Sequence, residues 1–130
     1  MAVNEQNYVD EAEKVIQKLK DYKDNRGRTV PMVTTSKLRS LLSMSIDIYN
    51  QAVNQNTDRL DADIASRIEY LRVRFLYEAG REESVKKLVE EAGIIGMLKN
   101  VKGSRDRYLL FQRYMEALVA FHKYYGGRDN

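Results

Sequence analysis

The chain closes on "YMEALVAFHKYYGGRDN" (residues 114–130), a nearly all-apolar, tyrosine-rich stretch that carries the only histidine and ends at a double glycine. At about 100° per residue, Leu110, Phe111, Tyr114, Met115, Leu118, Phe121, His122 and Tyr125 cover half of one helix. Gln112, Arg113, Glu116 and Lys123 take the narrower opposite arc. A helix so widely apolar has to be buried on several sides, by other helices or by another chain. The stretch therefore predicts a helix over about 105–125, capped by Gly126 and central to an all-α bundle. His122 falls inside the apolar arc, and no serine or aspartate stands in a context that would make it a catalytic base. It reads as a packed or interface residue.

The preceding chain repeats the same periodicity. A first helix over about 5–24 places Val9, Ala12, Ile16 and Leu19 in one stripe. Gly27 and Pro31 break "NRGRTVPMV" (25–33) into the longest loop. A second helix opens at the capping residues Thr34, Thr35 or Ser36 and runs to about Val53. A third, over about 59–79, carries Leu60, Ile64, Ile68, Leu71 and Phe75 on one face, with Gly80 as its left-handed cap. A fourth spans "EESVKKLVEEAGIIGMLKNV" (82–101) and is interrupted near Gly93 and Gly96. The expected architecture is a compact bundle of about five helices forming one domain over residues 1–130.

Composition removes several function classes. No cysteine is present, which excludes disulfides, thiolate zinc sites and a cysteine nucleophile. A single histidine excludes histidine metal cages, and no phosphate loop or paired-acid motif appears, so no metal, cofactor or catalytic activity is expected. No apolar run approaches the ~20 residues of a membrane span, and the acidic, polar start lacks the form of a secretory signal. The expected address is cytoplasmic.

Net charge is only +3, yet residues 25–45 hold Arg26, Arg28, Lys37 and Arg39 and no acid, a local +4. Lys37 and Arg39 lie in the first turn of the second helix. There the hydroxyls of Thr34, Thr35 and Ser36 could converge with them on a phosphate, or simply cap the helix beside two solvated charges. Arg67, Arg74 and Arg81 recur every seven residues along the third helix, a row that drifts by ~20° per step. That row suits a nucleic-acid backbone, or ion pairs with Asp63, Glu78 or Glu82. Tyr70 and Tyr77, beside the row, have the spacing of core or interface residues rather than of base-stacking platforms.

"VTTSKLRSLLSM" (33–44), "RIEYLRVRFLYEAGRE" (67–82) followed by "VKKLVEEA" (85–92), and "RYMEALVAFHKYYGGRD" (113–129) resemble the signature blocks of a known family. With "NYVDEAEKVIQKL" (7–19) they are similar, in order and spacing, to the small subunit of type III-A CRISPR-Cas effector complexes, the Csm complexes. The resemblance implies a helical, non-catalytic protein that stacks head to tail with other copies of itself as a minor filament. Its implied partners are the large and backbone subunits, guide RNA and target RNA. Position by position it marks Lys37, Arg39, Arg67, Arg81 and Arg113 as RNA-backbone candidates, with Arg74 added because it completes the arginine row and Lys86 because it follows the possible helix break. It also implies that the His122 block is a packing element in which another aromatic ring would serve equally. The alternative is a helical DNA-binding regulator with a helix-turn-helix in "FLYEAGREESVKKLVEEAG" (75–93). That recognition helix would bring Glu82, Glu83, Glu90 and Glu91 to a major groove, a poor electrostatic match.

Overall fold

The structure, a computed structural model, describes residues 2–127, so Arg128 and Asp129 of the C-terminal block lie outside the described residues. Six helices follow in order: α1 (Tyr8–Lys20), α2 (Thr35–Val53), α3 (Ala62–Arg81), α4 (Glu83–Ala92), α5 (Ile94–Lys99) and α6 (Arg105–Tyr124). The expected all-α class holds, and the interruption at Gly93 separates α4 from α5. α6 packs against α1 and α2, while α3 lies against α2, α4 and α5. Among the described residues no helix is long and apolar enough to cross a membrane.

Local chemistry sets the helix ends. Thr34, Asp61 and Ser104 each accept a hydrogen bond from the backbone N–H three residues on, which satisfies an otherwise orphaned donor at the starts of α2, α3 and α6. The Arg105 guanidinium donates to the carbonyls of Ala52 and Val53 at 3.0 and 2.9 Å, closing the C-terminus of α2 from the start of α6. Gly80 does not terminate α3. The helix continues through it to Arg81 and ends where Glu82 turns extended, at φ −133°. Val9 also departs from the expected stripe of α1. It is exposed, and Val15 is buried with Ala12, Ile16 and Leu19 instead.

α6 is buried more completely than its apolar arc required. Tyr108, Phe111, Tyr114, Met115 and Leu118 are core residues, and Phe111 meets Phe75 of α3 edge to face. Gln112, placed by sequence on the solvent arc, is buried, because the Ser45 hydroxyl on α2 donates to its amide oxygen at 2.7 Å. Tyr108 donates to the Ser45 carbonyl at 2.8 Å and Tyr114 to the Ala92 carbonyl at 2.9 Å. Burial raises both phenols, that of Tyr114 up to about 12, so they remain protonated donors at neutral pH.

His122 is wholly buried. Its Nε2–H donates to the Val33 carbonyl at 2.6 Å, and Nδ1 lies 3.3 Å from the Thr35 hydroxyl. The ring thus ties the segment entering α2 to the end of α6. A hydrocarbon ring at this position would leave both buried partners unmatched. The double glycine completes this corner. Gly126, at φ +85°, is left-handed, and its N–H donates to the Lys123 carbonyl at 3.1 Å while that of Gly127 donates to the His122 carbonyl at 2.8 Å. These two bonds form a Schellman closure. A Cβ on Gly127 would run into the His122 imidazole and its carbonyl.

Gly127→Ala is therefore expected to lower the unfolding free energy by about 1–3 kcal/mol through overpacking against a ring that cannot yield. Gly80→Ala, inside α3 with nothing within 4 Å of the added Cβ, is expected to raise it by about 0.5–1 kcal/mol. Urea unfolding of both variants, compared at equal m-value, checks the opposite signs.

Candidate nucleic-acid interface

The basic residues singled out by sequence divide into a cluster, a groove rim and three separate positions. Lys37, near the start of α2, reaches across to α3, where its Nζ lies 3.1 Å from Glu78 and 3.4 Å from Glu82. Arg74 and Arg81 approach the same Glu78 carboxylate from along α3, each at 3.8 Å. Glu78 is buried, whereas Arg74 and Arg81 are exposed. The hydrogen bond from Lys37, opposed by desolvation, holds the Glu78 carboxyl below its ordinary range, and the charges of Lys37, Arg81 and Arg74 add to it. The Lys37 ammonium is raised in turn, mainly by that same bond. Three cations against Glu78 and Glu82 leave this patch with an excess positive charge.

Arg67 pairs with Asp63 at 3.4 Å on exposed surface, so the ion-pair reading of the arginine row is realised at Asp63 and Glu78, while Glu82 bonds Lys37 instead. Such exposed pairs contribute little and are readily exchanged for another anion. Arg67 and Arg74 also line an open groove between α2 and α3, of about 540 Å³, floored by Met44, Ile48 and Leu71. Arg39, Lys86 and Arg113 are exposed on α2, α4 and α6 and form no ion pair among the described residues.

The hydroxyl cradle suggested by "TTSK" does not assemble. Thr34 caps α2, Thr35 is buried against His122, and Lys37 turns to Glu78, leaving Ser36 and Arg39 exposed. The physical reason is competition: a carboxylate on α3 and an imidazole on α6 reach these groups first, and neither is adjacent in sequence. The Thr35 hydroxyl beside a histidine nitrogen superficially resembles a nucleophile and base. However, both residues are buried, and the far nitrogen of the ring bonds a backbone carbonyl rather than an orienting carboxylate. Among the described residues no group of three or more metal-ligating side chains forms.

Sequence missed two features of this surface. Glu78 is central to it, yet only its bonds to Arg74 and Arg81, four and three residues away, had a sequence signal; Lys37 comes from another helix. Tyr70 and Tyr77, expected in a core or interface, are 63% and 56% exposed. Arg74 and Arg81 lie 6.0 and 5.6 Å from the centre of the Tyr77 ring, within cation–π range.

By its fold the protein is of the all-α class, a helical bundle with a mixed-charge, net-basic α2/α3 surface and an inward-facing histidine. The comparisons narrow that class: residues 13–128 match the family described as Csm2 Type III-A. The chain is 45% identical over 127 residues to the CRISPR system Cms protein Csm2 of Streptococcus thermophilus, covering 98% of each chain. It is 38% identical over 129 residues to that of Mycobacterium tuberculosis strain H37Rv, covering 99% of each. Against the protein of the same name from Enterococcus italicus it is 38% identical over 120 residues, covering 88% of this chain and 86% of the other. The chain belongs to the Csm2 family of type III-A CRISPR systems, the small subunits of the Csm complex.

Because the Glu78 carboxyl is held below its ordinary value of 4.5, the cluster's stabilisation is present above that pH and is lost as pH falls through the depressed folded value. Wild-type protein is expected to exceed Glu78→Gln in stability near neutrality. The gap should begin to narrow below about pH 4.5, where the carboxyl of the unfolded wild-type chain takes up its proton, and should close once the pH has fallen through the lower folded value. Thermal melts of the two proteins between pH 3 and 7 check this.

Proposed function

We propose that this protein is a non-catalytic, one-domain small subunit of a cytoplasmic type III-A RNA-guided complex. Several copies stack as its minor filament, beside the large and backbone subunits, and touch the guide and target RNA through the phosphate backbone. The observation that carries this reading is the family match over residues 13–128. The excess of Lys37, Arg74 and Arg81 over Glu78 and Glu82 and the exposure of Arg39, Lys86 and Arg113 support the RNA part. Backbone contact suits such a subunit, because base pairing between guide and target already reads sequence and the protein has to accept any guide. Against a helix-turn-helix regulator stands α4, whose exposed Glu83 and Glu90 would face DNA phosphates.

Tagged at low copy in its native host and purified at moderate salt, the protein is expected to bring down larger CRISPR subunits with RNA of a few discrete lengths. Recovery alone, or with promoter DNA, would overturn the proposal.

Within such a complex, Lys37→Ala, Arg39→Ala and Arg67→Ala should each weaken RNA binding alike for unrelated sequences and reduce the salt slope by roughly one unit per lost contact. Glu78→Gln, by releasing Lys37, Arg74 and Arg81 from a carboxylate, should strengthen it. Salt titrations on two RNAs of different sequence measure both effects; a variant that discriminated between the sequences would contradict backbone contact.

A further inference from the structure

We propose that the groove between α2 and α3 is a binding site for a single unpaired nucleotide of an RNA strand, with Tyr70 as the stacking platform for its base. The proposal rests on the RNA-contact reading above and adds to it a contact with a base.

The groove has the composition that a nucleotide requires. Its volume of about 540 Å³ lies within the ~300–1,000 Å³ usual for small-ligand sites. Met44, Ile48 and Leu71 give it an apolar floor, and Tyr70, 63% exposed, stands on its wall without an aromatic or cation–π partner among the described residues. An aromatic ring left in water beside an apolar floor offers a π face to any base, since stacking does not depend on base identity. Arg67 and Arg74 stand one helical turn to either side of Tyr70, within the same lining. Their carboxylate partners are held weakly, at 3.4 Å on exposed Asp63 and at 3.8 Å on Glu78, so a phosphate can exchange for either. Asp47 and Ser66, also in the lining, supply acceptors for the N–H edge of a base. Charge favours a nucleotide over an apolar protein segment: the lining itself carries two guanidiniums against the single carboxylate of Asp47, with Asp63 and Glu78 outside it, and so presents cations to a phosphate beside an aromatic plane.

The test uses the full-length chain at low salt and two RNA duplexes that differ only in one unpaired 2-aminopurine nucleotide, present in the first and absent from the second. Wild-type protein should bind the bulged duplex more tightly and quench its fluorescence. Tyr70→Leu should lose roughly tenfold in affinity for the bulged duplex alone, Tyr70→Phe should retain the preference, and both variants should melt like wild type. Equal binding of the two duplexes by wild type, or equal weakening of both by Tyr70→Leu, overturns the groove and leaves backbone contact standing. Failure of wild type to bind either duplex overturns the nucleotide site, while recovery from the native host tests the backbone reading separately. Loss of self-association in Tyr70→Leu by sedimentation, with the RNA preference unchanged, overturns the nucleotide in favour of a protein contact at this position.

Discussion

α6 carries a glutamine, two tyrosines and a histidine into the core, and each has to find a hydrogen-bond partner on another element or forfeit the free energy of its hydration. An unmatched buried polar group costs about 1–3 kcal/mol, so four of them would consume much of a small domain's stability. The structure answers all four: Gln112 and Tyr108 at Ser45, Tyr114 at Ala92, and His122 at Val33 and Thr35. No buried side-chain polar atom lacks a partner among the described residues. Apolar packing holds α6 in place, but these directional bonds fix its rotation and its register against α2 and α4.

That register has a consequence for the surface. Thr35 is held by His122, and Thr34 caps the same helix, so the first turn of α2 is fixed relative to the rest of the bundle. Lys37, in that same turn, then points at α3 and meets Glu78 and Glu82. The basic surface is therefore organised by a carboxylate as well as by its cations. Glu78 orders three long side chains that would otherwise sample many rotamers, and it leaves the patch net positive.

Sequence periodicity located the helices well because burial of one face imposes the 3.6-residue repeat on each helix separately. It failed at Gln112 and Val9 and left Tyr70 and Tyr77 between core and interface, and these outcomes share a cause. A helical wheel reports which residues are apolar, whereas exposure depends on how many neighbours surround the helix. α6 is covered on more sides than its apolar arc, so it buries a glutamine. α3 is covered on fewer, so its tyrosines remain in solvent. Gly80 was misread for a related reason: glycine permits a helix to end without compelling it to, and the packing of Ala79 together with the ion pairs of Glu78 carries α3 to Arg81.

The sequence by itself determined the all-α class, the closing turn at Gly126, the family, and the exclusion of cysteine chemistry and histidine metal cages. Each follows from residue identity or from spacing along one helix. Tertiary structure alone decided that Lys37 belongs to Glu78, that Thr35 belongs to His122, that Gly127 has to lack a side chain, and that Arg67, Tyr70 and Arg74 border a groove. The pairs Lys37–Glu78 and Thr35–His122 and the two walls of the groove join residues distant in sequence, and the Gly127 contact depends on the His122 ring that Val33 and Thr35 hold in place. No local pattern encodes them, because they depend on which faces of separate helices the shared core brings together.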